Sequence, residues 1–202
     1  MQVGIYLFPD AEVLDFAGPF EVFTTAARLA GAPPPFRSCL IGEHGGPVRA
    51  RGGMVVQPHH GFDDHPPLDV LIVAGGVHEP EMDRPRVREW IAARAAGGAL
   101  LASVCTGVFL LARAGVLGAC RVTTHHEDIA ELRRLHPELE VVEGVRWVDA
   151  GDRVTSGGIS AGIDMSLHLV ERLAGPQLAE RTARQMEFAR SPDSRPRIRP
   201  AP

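Results

Sequence analysis

Apolar residues run along this chain in two rhythms. Short, nearly unbroken runs appear as "QVGIYLF" at 2–8, "FRSCLIG" at 36–42, "LDVLIVAGG" at 68–76 and "ALLASV" at 99–104. Runs of this length, rich in Val, Ile and Leu and closed by turn residues, predict strands buried on both faces. Between them the apolar positions recur every three to four residues, predicting helices over 16–29, 84–96 and 106–115. In the second of these, Arg86, Arg88, Glu89 and Arg94 mark the wet face. "VRARGGMVVQP" reads as a hairpin turning at Gly52-Gly53.

The same alternation continues in the second half. "RVTTHH" and "LEVVEG" predict strands around the helix "EDIAELRRLH", followed by the pair within "RWVDAGDRVTSG" and helices at 161–173 and 176–188. Strands alternating with helices imply βαβ units and an α/β fold: a doubly wound, mostly parallel sheet with helices on both faces. No repeat or linker interrupts residues 1–188, which are expected to form one domain. The Pro/Arg-rich C-terminal tail, 189–202, is expected to be ordered only by packing on a partner subunit.

Composition narrows the function classes. With 202 residues, 45% hydrophobic and 23% charged, the chain is long enough to bury a full core. A formal net charge of −4 gives no electrostatic case for binding nucleic acid or an anionic membrane. The N-terminus "MQVGIYLFPDAEVLDF" has no basic region before its apolar run, and no run is long enough to span a bilayer. The expected location is cytoplasmic, with a small-molecule substrate, no nucleic acid and no membrane. Cys39, Cys105 and Cys120 show no CxxC spacing, against a disulfide scaffold or a structural zinc site. Cys39 and Cys120 read as small apolar residues.

Cys105 reads differently. It follows "ALLASV" and precedes Thr106-Gly107 at the start of a helix, so it stands at the carboxyl end of a strand, where open α/β sheets collect ligands. Small neighbours, Ser103 and Gly107, permit the tight turn that lifts a nucleophile above the sheet. The helix N-terminus is expected to favour thiolate. "VAGG" closes the preceding strand and brings Gly75, Gly76 and Val77 to the same edge; Gly76 N–H and Thr106 N–H offer an oxyanion-hole pair. Glu12 and Asp15 follow the first strand, where Asp15 either caps the next helix or exchanges a proton with the thiol.

His125 ends another strand within reach of this edge, while His126 starts a helix and faces solvent. His59, His60, His65 and His78 lack the spacing of a ligand set, so no metal is expected. "TSGGIS" reads as a structural turn close to the site, with Ser160 near a helix N-cap and without the signatures of a phosphate cradle.

Five stretches together resemble the ThiJ/PfpI superfamily, from residue 2 to about 188: "LFPDAEVLDFAGPFEV", "PLDVLIVAGG", "SVCTG", "AGVLGACRVTTH" and "TSGGISAGIDMSLHLVE". The chain is most similar to its isonitrile hydratases and to the sensor domains of AraC-type regulators. The resemblance implies a flavodoxin-like, class I glutamine-amidotransferase-like fold and a homodimer with the site close to the subunit interface. It implies Cys105 as nucleophile on an elbow, Asp15 as its carboxyl partner, Thr106 beside the thiol, Gly76 as backbone donor and His125 near the site. Three places depart from the hydratase pattern: His126 stands for an aromatic residue, Val77-His78 follows the glycine pair, and the tail lacks an aromatic-proline ending.

The resulting expectation is a lyase that converts an isonitrile to an N-substituted formamide through a covalent thioimidate, without a cofactor. A glyoxalase or deglycase acting on α-oxoaldehydes with the same cysteine is the enzymatic alternative. A ligand-sensing or redox-sensing domain without turnover is the other.

Overall fold

The computed structural model describes residues 1–191; the remaining eleven residues, which hold most of the expected tail, lie outside the description. Six strands form the central sheet in the order β2-β1-β5-β6-β10-β9. These are β1 (Gln2–Tyr6), β2 (Arg37–Ile41), β5 (Val70–Val73), β6 (Leu100–Val104), β9 (Trp147–Asp149) and β10 (Arg153–Ser156). All pairs are parallel except β10 with β9, which closes one edge antiparallel. The buried runs of the sequence are these strands: Val70 to Val73 are fully buried, as are Ile5, Tyr6 and Leu101. A sheet covered on both faces has no wet side to mark with polar residues.

Helices flank the sheet in two groups. Helix α1 (Val13–Ala30) packs against α6 (Ala161–Ala174) and α7 (Pro176–Gln185). Helices α2 (Glu79–Met82), α3 (Pro85–Ala96) and α4 (Gly107–Arg113) pack against one another. The hairpin β3 (Val48–Arg49) and β4 (Val55–Val56) turns through Arg51–Gly53, with Gly52 and Gly53 at positive φ as the sequence suggested.

Four elements differ from the sequence expectation. The strand expected over 121–126 is only β7 (Arg121–Val122), which pairs with β8 (Glu140–Val141) in a separate two-stranded sheet. The place beside β6 is taken by β10, and the threonines that follow β7 serve that strand edge instead. Thr123 N–H donates to Thr155 Oγ1 at 2.8 Å, and the Thr124 hydroxyl donates to the carbonyl of Cys105 at 2.9 Å. Helix α1 begins three residues earlier than the pattern indicated. The helix expected from Glu127 opens with a tight turn at His126–Asp128 before α5 (Ile129–Leu135). Helix α7 stops at Gln185, and Glu187 reverses the chain at φ 50°.

Among the described residues no helix is long and apolar enough to cross a membrane.

Candidate active site

The carboxyl ends of β1, β5, β6 and β10 converge, and each delivers one piece of the site. Beyond β1 the chain reaches Asp15 in the first turn of α1; beyond β5 lie Gly75 and Gly76; Cys105 follows β6; Gly158 and Ile159 follow β10. Backbone bonds lock the loops together. Glu12 N–H donates to Gly75 O at 2.9 Å and Val77 N–H to Asp10 O at 3.2 Å, while Cys105 N–H reaches Ser156 O and Gly157 O, each at 3.2 Å.

Asp15 is completely buried. Its carboxylate does not cap its own helix, which has no side-chain cap bond. Instead Oδ2 accepts the N–H of Gly75 at 3.1 Å and Oδ1 accepts the N–H of Ile159 at 3.0 Å. Burial pushes the carboxyl pKa up to about 7, against the pull of those two N–H groups. A carboxyl group tuned to that range gives and takes protons near neutrality.

Cys105 sits at φ 55°, a left-handed conformation that a side chain bearing a Cβ adopts at a cost, and its residue surface is only 8% exposed. Burial, followed by the Asp15 carboxylate, holds the thiol well above the ordinary thiol range. The N–H and hydroxyl of Thr106 pull the other way and do not prevail. The thiolate expected from the helix start is therefore not favoured: α4 has only seven residues, and burial, followed by the adjacent Asp15 carboxylate, pushes the thiol up.

Thr106 Oγ1 accepts the N–H of Gly76 at 2.9 Å and donates to Gly76 O at 3.0 Å. The Gly76 N–H, read from the sequence as half of an oxyanion-hole pair, is thus engaged by a hydroxyl. Gly75 is required by packing: a Cβ there would lie 2.7 Å from Thr106 N and 2.8 Å from both Asp15 Oδ2 and Cys105 Cβ.

Above the thiol opens a pocket of about 480 Å³ whose lining includes Cys105, Thr106, Gly76, Val77, His125 and Ile159. Val77 and Ile159 stand exposed on its rim. His125 Nδ1 accepts the N–H of Glu127 at 3.4 Å and lies 3.6 Å from Asp128 Oδ2. A Cβ on Gly158 would fall 2.3 Å from His125 Cδ2 and 3.2 Å from Cys105 Sγ, so imidazole and thiol flank the same bare glycine.

Sequence reasoning missed Ile159, His78 and Asp128. Ile159 lies within "TSGGIS", which reads as a structural turn, although the glycine pair before it marks a close backbone approach. The histidines near His78 in sequence lie elsewhere in the fold: His59 Nδ1 accepts Leu40 N–H, His60 lies 4.0 Å from Asp64, and His65 holds Trp90 and Arg94. His78 is buried against Phe109, with ring centroids 4.6 Å apart, and lines the pocket. Ser160 precedes α6, yet its side chain caps nothing and is bound by Arg146 at 3.2 Å. Among the described residues no three His, Cys, Asp or Glu side chains converge as a metal set.

A mostly parallel sheet with a cysteine and a buried carboxyl at its carboxyl edge defines an α/β protein of the ThiJ/PfpI type. The chain belongs to the DJ-1/PfpI family, whose family model matches residues 1–172. It is similar to an isonitrile hydratase of Pseudomonas putida, 33% identical over 196 residues, covering 95% of this chain and 80% of that one. The HTH-type transcriptional regulator CdhR of Pseudomonas aeruginosa is 31% identical over 184 residues, covering 91% of this chain but 54% of the regulator. A crystal structure of a ThiJ/PfpI family protein from Pseudomonas syringae has the same fold, with a TM-score of 0.83 at 24% identity. That likeness covers 95% of this chain and 76% of that one.

Proposed function

We propose that this protein is a cysteine-dependent hydro-lyase that adds water to an organic isonitrile, giving an N-substituted formamide. The observation that carries the reading is the buried Asp15, a carboxyl group poised near pH 7, coupled to the Cys105 thiol. Similarity to the Pseudomonas hydratase supplies the substrate class.

The terminal carbon of R–NC accepts a nucleophile and then needs a proton. Thiol and carboxylate hold one exchangeable proton between them. As Sγ of Cys105 bonds to that carbon, the proton leaves sulfur for Asp15, and Asp15 hands it to the carbon. The product is the covalent thioimidate R–N=CH–S–Cys105. Asp15 then takes a proton from water as its oxygen attacks the same carbon, and that proton passes to nitrogen. Breaking the C–S bond releases R–NH–CHO, and the hydroxyl proton returns to sulfur through Asp15. The Thr106 hydroxyl, tied to both backbone groups of Gly76, positions the turn that carries the thiol. The working unit of this proposal is residues 1–188 as a homodimer.

The test is formamide production from a simple alkyl isonitrile by wild type and Cys105→Ala. Turnover that disappears in the variant supports the reading; no turnover by wild type with a reduced thiol overturns it. The regulator relatives would then favour a ligand-sensing role for this domain.

A further inference from the structure

The pocket above Cys105 carries a charge pattern that hydration alone does not require. Four carboxylates line it, those of Glu12, Glu79, Glu127 and Asp128, against one fixed cation, Arg51. Arg51 lies 3.7 Å from Glu12 and offsets that acid. Three carboxylates remain. Two imidazoles stand beside them, and even counted with Arg51 they leave the acids in excess, four against three; His125 Nδ1 lies 3.7 Å from Glu127 and 3.6 Å from Asp128. His78 Nδ1 stands 3.8 Å from Glu79, with its ring buried against Phe109. The Asp128 charge reaches the thiol itself, where it adds to the effect of Asp15. On the same rim Val77 and Ile159 expose aliphatic surface, 42% and 43% of each residue.

We infer that the pocket selects substrates with a positively charged, alkylammonium-type group beside the reacting carbon, and disfavours anionic ones. The isonitrile part of that substrate rests on the hydratase reading; the charge selection rests on the pocket lining alone. An ammonium group at the mouth meets more carboxylates than cations, its alkyl substituents meet Val77 and Ile159, and a carboxylate-bearing substrate meets like charge.

The test uses the thiol as its own reporter. Cys105 is modified with 2-(trimethylammonio)ethyl and 2-sulfonatoethyl methanethiosulfonate, each rate being divided by that for a small free thiol. Cys105→Ala supplies the background from Cys39 and Cys120. Both reagents need the same thiolate, so the raised thiol pKa cancels in the ratio. The normalised ratio should favour the cation by about tenfold at low salt and shrink as salt rises. Replacing two exposed acids together, Glu79→Gln with Glu127→Gln, should lower it by about threefold or more. A ratio at or below one in wild type, or one unchanged in the double variant, overturns the inference.

Isonitriles of matched size bearing trimethylammonium, tert-butyl or carboxylate groups should rank in that order by kcat/KM. Equal turnover of the first two also overturns it. No turnover of any of the three overturns the hydratase reading instead, and the thiol-reagent ratio still decides the charge selection.

Discussion

Ile159 donates its backbone N–H to Asp15 Oδ1 at 3.0 Å, across 144 residues of chain. That bond, with the one from Gly75, fixes a buried carboxyl group whose two oxygens each have a donor and whose burial still disfavours its charge. Several expectations rest on this pairing.

Asp15→Asn should lower kcat/KM for the proposed hydration by at least about a hundredfold, because the amide cannot relay protons. An amide also has one acceptor oxygen where the carboxylate has two, so either Gly75 or Ile159 loses its partner. Single-turnover kinetics with the variant would check the loss at the chemical step.

Stability should fall as pH rises from about 4 to about 7. The sign follows from the raised pKa: folded Asp15 keeps its proton to about pH 7, whereas in the unfolded chain it ionises near its ordinary value, so the folded state binds more protons in between. The contribution is on the order of 2–4 kcal/mol, fully present below the unfolded pKa and lost as pH rises through the folded one. Urea midpoints at several pH values, compared with Asp15→Asn, isolate it; the variant should lack this slope.

Activity should instead rise with pH through about 7, since protonated Asp15 cannot accept the proton of the Cys105 thiol. The rate should then hold to high pH, because burial and Asp15 keep that thiol protonated beyond the ordinary range. A pH profile of kcat/KM with an acid limb elsewhere, or a fall in mildly alkaline solution, would contradict this assignment.

Ile159→Gly should raise stability by about 1 kcal/mol, because a β-branched residue at φ 56° is strained and glycine is not. The same change removes exposed aliphatic surface from the pocket rim, so KM should rise while the N–H to Asp15 is retained. Thermal unfolding and steady-state kinetics on one preparation test both halves.

Gly75→Ala should be damaging in both respects. Its Cβ would meet Thr106 N, Asp15 Oδ2 and Cys105 Cβ, all within 2.8 Å, and two of the three are main-chain or adjacent to it. A loss of about 1–3 kcal/mol in unfolding free energy and a large fall in activity are expected. Tyr6→Phe offers a contrast. It removes a buried hydroxyl bound to Glu81 Oε2 at 2.7 Å, and should cost about 1–3 kcal/mol without altering the pH profile.

The local part of this molecule is legible in its residues. Buried strands such as "LDVLIVAGG" and "ALLASV" announce themselves because strand and helix periods are properties of neighbouring positions. The placement of Cys105 at a strand-to-helix junction, and the family resemblance, follow from the same short stretches. Even there, local composition misleads: "RVTTHH" reads as a strand through 126, yet only Arg121–Val122 pairs, in a separate two-stranded sheet with β8.

What only the tertiary structure decided is the chemistry of the site. Whether Asp15 caps a helix or faces a thiol depends on Gly75 and Ile159, which arrive from distant strands. Desolvation and Coulomb interactions depend on distance in space, so neither the raised carboxyl pKa nor the suppressed thiolate has a signature in a seven-residue window. The sequence determined the sheet, its helices and the residue at the end of β6. The convergence of four strand ends determined which groups stand beside it.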